Sequence, residues 1–500
     1  MSIPRSVLFA LLSLGFLAGC GGDETDDFNR LQEEGQAYHA KGEYDKAIGY
    51  YKKALTIQLK KLGAEHPLVG KTYDNIGGLH FKKGEYDEAI QYLEKSLAIR
   101  LKALGAEHPS VAANYNNIGA SYDGKGEYDK ALGYYEKSLA IQIKVLGAEH
   151  AEVGTNYNNI GEAYRNKGEY DKAIGYYEKS LAIYLKTLGA KHPFVGTSYN
   201  NIGAAYDAKG EYGKSIVYHE KALTIRLKKL GAKHYDVGLS YNNIGAAYDA
   251  KGEYDKAIGY YEKALAIYLK TLGVEHPLVG TSYNNIGEAY RNKSEYDKAI
   301  GYYDKALAIQ LKALGAEHPS VGMTYNNIGE AYSNKGEYGK SIVSHEKALA
   351  IRLKKLGAKH SDVGQSYNNI GGAYDAKGEY DKALGYYEKS LAIQLDALGA
   401  EHPSVATTYN NRGLAYFKKG EYDKAIGHYN KALAIQLKKL GAEHPLVGTS
   451  YFNIGAACKA KGDKAKAMVY LLKAKAIYLK KLGPQHPNTK AVQSWIDDLK

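Results

Sequence analysis

Tyr115-Asn-Asn-Ile-Gly119, followed downstream by Lys125-Gly-Glu-Tyr-Asp-Lys-Ala131, decides how this chain folds. Both phrases return as Tyr157-Asn-Asn-Ile-Gly161 and Lys167-Gly-Glu-Tyr-Asp-Lys-Ala173, a step of 42 residues. The second phrase can be followed from Gly42 to Gly462, eleven times. A period of this length marks a stacked-repeat architecture. Stacked repeats touch only their neighbours and have no single central core. The 500 residues therefore do not divide into the several domains that length alone suggests.

Composition follows from the cassette. The chain holds 49 Tyr and 56 Gly but one Trp and three Met, the mark of one unit copied many times. Its net charge of +12 comes from interspersed Lys and Glu, not from basic blocks, which favours acidic partners only mildly. No basic stripe with stacking aromatics and no nucleic-acid motif is present, so nucleic acid is not an expected partner.

Each unit reads as two helices. In the third repeat the first helix runs from Pro109 to about Asp123, with proline suited to the first helical turn. Tyr115, Ile118, Gly119 and Tyr122 fall at i, i+3, i+4 and i+7, one helical face. Gly126 breaks this helix. A second runs from near Glu127 to Leu146, with Tyr128, Ala131, Tyr135, Leu139 and Ile143 expected on its buried side. Gly147 is expected to stop it in a left-handed conformation. Gly119 and Ala131 are small enough to let the two helices approach closely.

Tyr115, Ile118-Gly119, Tyr122, Gly126-Glu-Tyr128, Ala131 and Tyr135 resemble the tetratricopeptide repeat pattern. The 42-residue unit, with its Leu104-Gly-Ala-Glu-His-Pro-Ser-Val111 linker and paired asparagines, is similar to the repeats of kinesin light chains and their bacterial relatives. The resemblance implies an all-α, right-handed superhelical solenoid of about eleven helix-turn-helix repeats. In it the first helix of each pair lines a concave groove. The repeats are assigned to residues 28–486, and 487–500 reads as a capping helix carrying Val492, Trp495 and Ile496. At the other end, Glu33-Glu34 places charge where a preceding repeat would pack.

A second period is superimposed. Ala163-Tyr-Arg-Asn-Lys167 recurs at Ala289–Lys293, and Gly213-Lys-Ser-Ile-Val217 at Gly339–Val343, each three units on. A three-repeat block has been duplicated.

The candidate site residues are the paired asparagines. The second of each pair is Asn75, Asn117, Asn159, Asn201, Asn243, Asn285, Asn327, Asn369, Asn411 and Asn453. The first is Asn116, Asn158, Asn200, Asn242, Asn284, Asn326, Asn368 and Asn410, with Asp74 and Phe452 as departures. Asparagine is a mediocre helix former, so its recurrence mid-helix calls for a use. Its amide donates and accepts, which suits an extended peptide backbone. In the families this chain resembles, similar asparagines line the inner groove and hold peptides. The other use open to them is to bond between adjacent repeats and fix their stacking. One turn further on, a variable column holds Asp123, Arg165, Asp207, Asp249, Arg291, Ser333, Asp375 and Lys459, with Phe81 and Phe417 near the ends. Glu162 and Glu288 stand three residues before Arg165 and Arg291, in position for ion pairs along the helix. This mixed-sign lining suits a polypeptide better than a uniform polyanion.

No chemistry-bearing motif stands apart from the cassette. Eleven of the sixteen histidines, from His66 and His108 to His486, share one linker position, one per repeat, and read as structural and not as metal ligands. No phosphate loop, nucleophile elbow or paired-carboxylate site is seen, so neither catalysis, cofactor, metal nor small-molecule substrate is expected. The expected partner is polypeptide, bound by a non-enzymatic scaffold. An accessory role for exported polysaccharide or peptidoglycan machinery is the alternative.

The N-terminus differs in kind. Arg5, the apolar run Val7–Leu17 and Leu17-Ala-Gly-Cys20 form a secretory signal, too short to remain as a spanning helix. Its end resembles the lipobox of bacterial lipoproteins, which implies cleavage after residue 19, acylation of Cys20 and attachment to a membrane through the N-terminal lipid. Residues 20–27 read as a polar tether. Gly21 replaces the Asp that resembles an inner-membrane retention signal, so the expected location is the envelope, at the outer membrane where the host has two. Cys458 is then the one remaining cysteine. It stands in the column of Tyr122, Tyr164 and Tyr206, and reads as a small buried residue.

Overall fold

Proline and histidine set the start of each first helix. In the third repeat the helix spans Pro109–Lys125, with Pro109 in its opening turn. His108 precedes it in an extended conformation, and its Nδ1 accepts the Ser110 backbone N–H at 3.1 Å. All eleven linker histidines, His66 through His486, cap a helix in this way at 3.1–3.3 Å. Each bond satisfies one of the N–H groups a helix start leaves without a partner. The ring must present a bare Nδ1, so the proton of each neutral imidazole sits on Nε2.

Glycine sets the ends. Gly126 closes the first helix in the left-handed conformation, φ 86° and ψ 8°, its N–H bonded to the Asp123 carbonyl. Gly147 behaves differently from expectation. After the second helix, Tyr128–Leu146, it adopts φ 86° and ψ 152°, positive but extended, a region open essentially to glycine alone. The chain is thereby thrown straight into the linker.

The computed structural model describes residues 24–499. Among them are 23 α-helices and no strand. The signal segment 1–19, Cys20 and the first part of the expected tether lie outside the described residues. The first helix opens at Glu24, so the last four tether residues are helical. Two compact units meet at Lys251 and Gly252. The first holds five helix pairs and the helix Tyr235–Ala250; the second opens with Tyr254–Leu272 and continues with five pairs and Pro487–Asp497.

Within a pair, the small residues do what their size suggests. A Cβ on Gly119 would lie 2.8 Å from Tyr135 Cδ1, so glycine is required for the tyrosine to fill the space between the helices. Ile118, Ala131 and Tyr135 are buried. Tyr122 covers the edge by stacking on Tyr134, centroids 5.5 Å apart. Ile143, expected on the buried side, is exposed, and Leu132 and Ser138 are buried instead. The last turns of the second helices pack against the following repeat as well as their own partner. The Tyr184 hydroxyl meets Thr155 of its own pair at 2.8 Å, whereas Thr324 donates to Gln310 of the preceding repeat at 2.8 Å.

The C-terminal helix caps the last pair. Val492 and Ile496 are buried with Leu471, Ala474 and Tyr478, and Trp495 lies edge-on to Phe452 at 5.4 Å. Cys458 is buried and unoxidised, and burial pushes its thiol pKa up.

Candidate functional site

In both units the first helices of consecutive repeats touch one another, while no comparable contact joins consecutive second helices among the described residues. The first helices form the inner layer, and the paired asparagines lie along it.

The structure puts most of these asparagines to work between repeats. The second asparagine of one repeat donates through Nδ2 to Oδ1 of the first asparagine in the repeat before. In the first unit the bonds are Asn159 to Asn116 (2.9 Å), Asn201 to Asn158 (2.9 Å) and Asn243 to Asn200 (2.8 Å). In the second they are Asn327 to Asn284 (3.4 Å), Asn369 to Asn326 (2.9 Å), Asn411 to Asn368 (3.3 Å) and Asn453 to Asn410 (3.0 Å). Asn242 and Asn285, which also have partners, fall in different units. Each such bond contributes about 0.5–1.5 kcal/mol net.

The ladder has a polarity with chemical consequences. It uses the acceptor of the first asparagine and a donor of the second. Among the described residues the Oδ1 atoms of Asn159, Asn201, Asn411 and Asn453 receive no hydrogen bond. Half-exposed carbonyl oxygens one repeat apart are what remains to accept from a ligand's N–H groups.

Asn75 and Asn117 stand outside the ladder, and their side-chain amides have no partner among the described residues. Asn117 makes no ladder bond because the acceptor column holds Asp74, whose carboxylate is engaged by Arg100 and not by Asn117. Asp74 is buried and ion-paired with Arg100, which also donates to the Ser110 carbonyl at 2.7 Å.

The variable column lies beside the ladder. Arg165 is paired with Glu162, and Glu162 also accepts the Tyr177 hydroxyl at 2.8 Å. Arg291 is held by both Glu288 and Glu330, with the Tyr303 hydroxyl on Glu288 at 3.0 Å. Burial and the adjacent glutamate raise the pKa of Tyr177 and Tyr303, so both remain hydroxyl donors. The two arginines are thus occupied within their own face, as the helical spacing anticipated. Asp123 accepts from Asn166 of the next repeat at 3.0 Å, and Lys418 bonds Asp375 at 2.6 Å. Among the described residues no three His, Cys, Asp or Glu side chains converge as metal ligands, and no helix is long and apolar enough to cross a membrane.

Sequence reasoning missed two features. The histidine caps were signalled by the invariable placement of His immediately before the helix start. The Arg100–Asp74 pair was signalled by the departure of Asp74 from the asparagine column, beside Arg100 in a column that varies among Gln, Arg and Tyr.

Comparison with known proteins agrees with the repeat reading. The tetratricopeptide repeat family model matches residues 29–144, 152–396 and 404–480 in overlapping stretches. No curated protein sequence matches the chain. Among solved structures, the nearly identical repeats of a kinesin light chain candidate from Podosopora anserina are 29% identical, with 42% of this chain and 99% of that one covered, TM-score 0.38. BtubC from P. vanneervenii is 24% identical over 46% of this chain and 92% of its own, TM-score 0.40. Yeast Tom70 is 14% identical over 95% and 96%, TM-score 0.46.

Proposed function

The chain belongs to the tetratricopeptide repeat family, and on that premise we propose that it is a non-enzymatic scaffold that binds polypeptide segments along its inner layer of first helices. The observation that carries this reading is the row of asparagine Oδ1 atoms left without donors beside a column of mixed charge. An extended peptide supplies N–H groups for the first and side chains of either sign for the second. Asn75 and Asn117, with both donor and acceptor open, add a fuller backbone contact in the first unit. The bracing ladder holds these groups in place before a ligand arrives, which reduces the ordering cost of binding.

The test uses the full-length chain with a photo-crosslinking residue at one of two places. Position 204, on the inner layer, is expected to capture polypeptides from an envelope fraction; position 178, exposed on a second helix, is not. Equal capture at both positions, or capture only at 178, would overturn the reading.

The envelope assignment rests on Leu17-Ala-Gly-Cys20. Acylation at Cys20 anchors the scaffold to a membrane, at the outer membrane in a two-membrane host. Cys20→Ser is expected to convert a chain that resists a high-salt wash of membranes into one released by it. Unchanged retention would refute the anchor.

A further inference from the structure

The last second helix, Lys464–Leu482, departs from the others on the side that faces away from the protein. Val469, Leu472 and Leu479 are 52%, 49% and 45% exposed. With exposed Ala465 and Ala476 they fall at i+4, i+7, i+14 and i, i+11, a single stripe along the helix. The buried residues Ala467, Leu471, Ala474 and Tyr478 lie opposite, packed against the helix's own partner and Pro487–Asp497. The terminal cap therefore leaves the outer stripe uncovered.

Charge changes together with polarity. At the positions of Ala465 and Leu472, the third repeat has Asp129 and Glu136, and the ninth has Asp381 and Glu388. Lys464–Leu482 contains six lysines and no acidic residue. On a helical projection Lys466, Lys473 and Lys480 border the apolar stripe on one side, Lys464 and Lys475 on the other. Lys466 is engaged by Asp463, and Lys480 by Glu443. Lys464, Lys473 and Lys475 have no carboxylate partner among the described residues; Lys473 lies over the Tyr451 and Tyr470 rings. Exposed valines also occur at Val217 and Val343, but each has a glutamate one turn away, Glu220 and Glu346, so neither builds such a face.

We infer that this face docks on an anionic phospholipid bilayer. An apolar stripe between two rows of lysine is the arrangement of a helix lying in a membrane interface, with leucine and valine at the acyl boundary and ammonium groups at the phosphates. A second copy of the chain would set the same lysines against each other, a repulsive pairing. An acidic peptide would engage the lysines and leave the central apolar stripe in water. The contact depends on neither Cys20 nor the inner layer, so its failure leaves the proposed scaffold function standing.

The test uses the full-length chain in a Cys20→Ser background, with Cys458 buried, and an environment-sensitive fluorophore attached through Ala476→Cys. Vesicles containing phosphatidylglycerol are expected to shift its emission to the blue, and pure phosphatidylcholine vesicles are not. Lys473→Gln and Lys475→Gln should each weaken vesicle binding about fivefold, the effect of one lysine near an anionic surface. Salt at roughly 0.5 M should reverse the shift, and Leu472→Glu should abolish it. Val217→Glu, on an unrelated repeat, should leave it intact. Three results would overturn the inference: no shift on anionic vesicles with the helical circular dichroism unchanged, an equal shift on neutral vesicles, or a shift that needs no vesicles and grows with protein concentration. The last would identify a second copy as the occupant.

Discussion

Residues 163–167 and 289–293 share the sequence Ala-Tyr-Arg-Asn-Lys, each opens a copy of the same duplicated block, and yet the two arginines live in different surroundings. Arg165 has one carboxylate partner, Glu162. Arg291 has two, Glu288 from its own helix and Glu330 from the next repeat. The corresponding position after Arg165 is Ala204. The following repeat in each copy differs too, here through its own first helix, at its buried histidine. His219 Nε2 lies 3.1 Å from Asp207, whereas His345 Nδ1 lies 3.2 Å from Asn326 Oδ1, Ser333 having replaced the aspartate. In a solenoid a side chain's environment is composed partly by its neighbour, so identical motifs are not identical sites.

The largest expected effect lies at His345. Burial, with Arg352 nearby, lowers its pKa to about 4, against about 6.5 in an unfolded chain. Between these values the unfolded chain binds the proton and the folded chain does not. Stability should therefore be level above the window, fall as pH drops through it, and level off below, losing on the order of 3 kcal/mol. His345→Tyr restores the residue found at this position in Tyr303 and Tyr387 and should remove that part of the slope. Melting temperatures of both chains between pH 7 and pH 4 provide the check, and an identical slope in the variant would place the effect elsewhere.

Next in size is the difference between the two glutamates. Glu162→Ala leaves Arg165 and the Tyr177 hydroxyl without their shared acceptor and should cost about 2 kcal/mol. Glu288→Ala likewise frees the Tyr303 hydroxyl but leaves Arg291 on Glu330, and should cost about 1 kcal/mol. Ala204→Glu should recover part of the first loss by importing the second carboxylate. Urea midpoints, with hydrogen exchange across residues 157–180 and 283–306 to localise the change, would show equal losses if the neighbouring repeat had no influence.

The smallest effect is at the turn after each motif. Gly168 is left-handed, and Ser294, with φ 66°, is the one non-glycine residue at positive φ among the described residues. Ser294→Gly should stabilise by about 1 kcal/mol, and Gly168→Ser should destabilise by a similar amount. Slower exchange at the Glu295 amide, which bonds the Tyr290 carbonyl, would report the first; no change in either turn would show the strain to be relaxed.

Much of this architecture could be read from the chain because its signals are local. Pro109 at a helix start, Gly126 at a helix end, and the Ile118, Gly119 and Ala131 packing positions each act within a few residues. The second helix was read less well near Ile143, where burial is decided by the following repeat. The asparagines show the same boundary most sharply. Asn116 and Asn159 were recognised as one column each, but their bond joins residues 43 positions apart, and nothing in either pentapeptide distinguishes a brace from a ligand contact. Asn117 looks like Asn159 in sequence and differs only because Asp74, a repeat earlier, is held by Arg100.

By itself the sequence determined the helix pairs, their proline starts, the glycine stop after each first helix and their close approach, since backbone sterics and hydrophobic periodicity operate over one or two turns. Only the tertiary structure decided which polar groups remain open on the inner layer, which arginine gains a second carboxylate, and which outer helix face lacks acid. Those outcomes depend on groups brought together from different repeats, where hydrogen-bond geometry and burial, not residue type, select the partner.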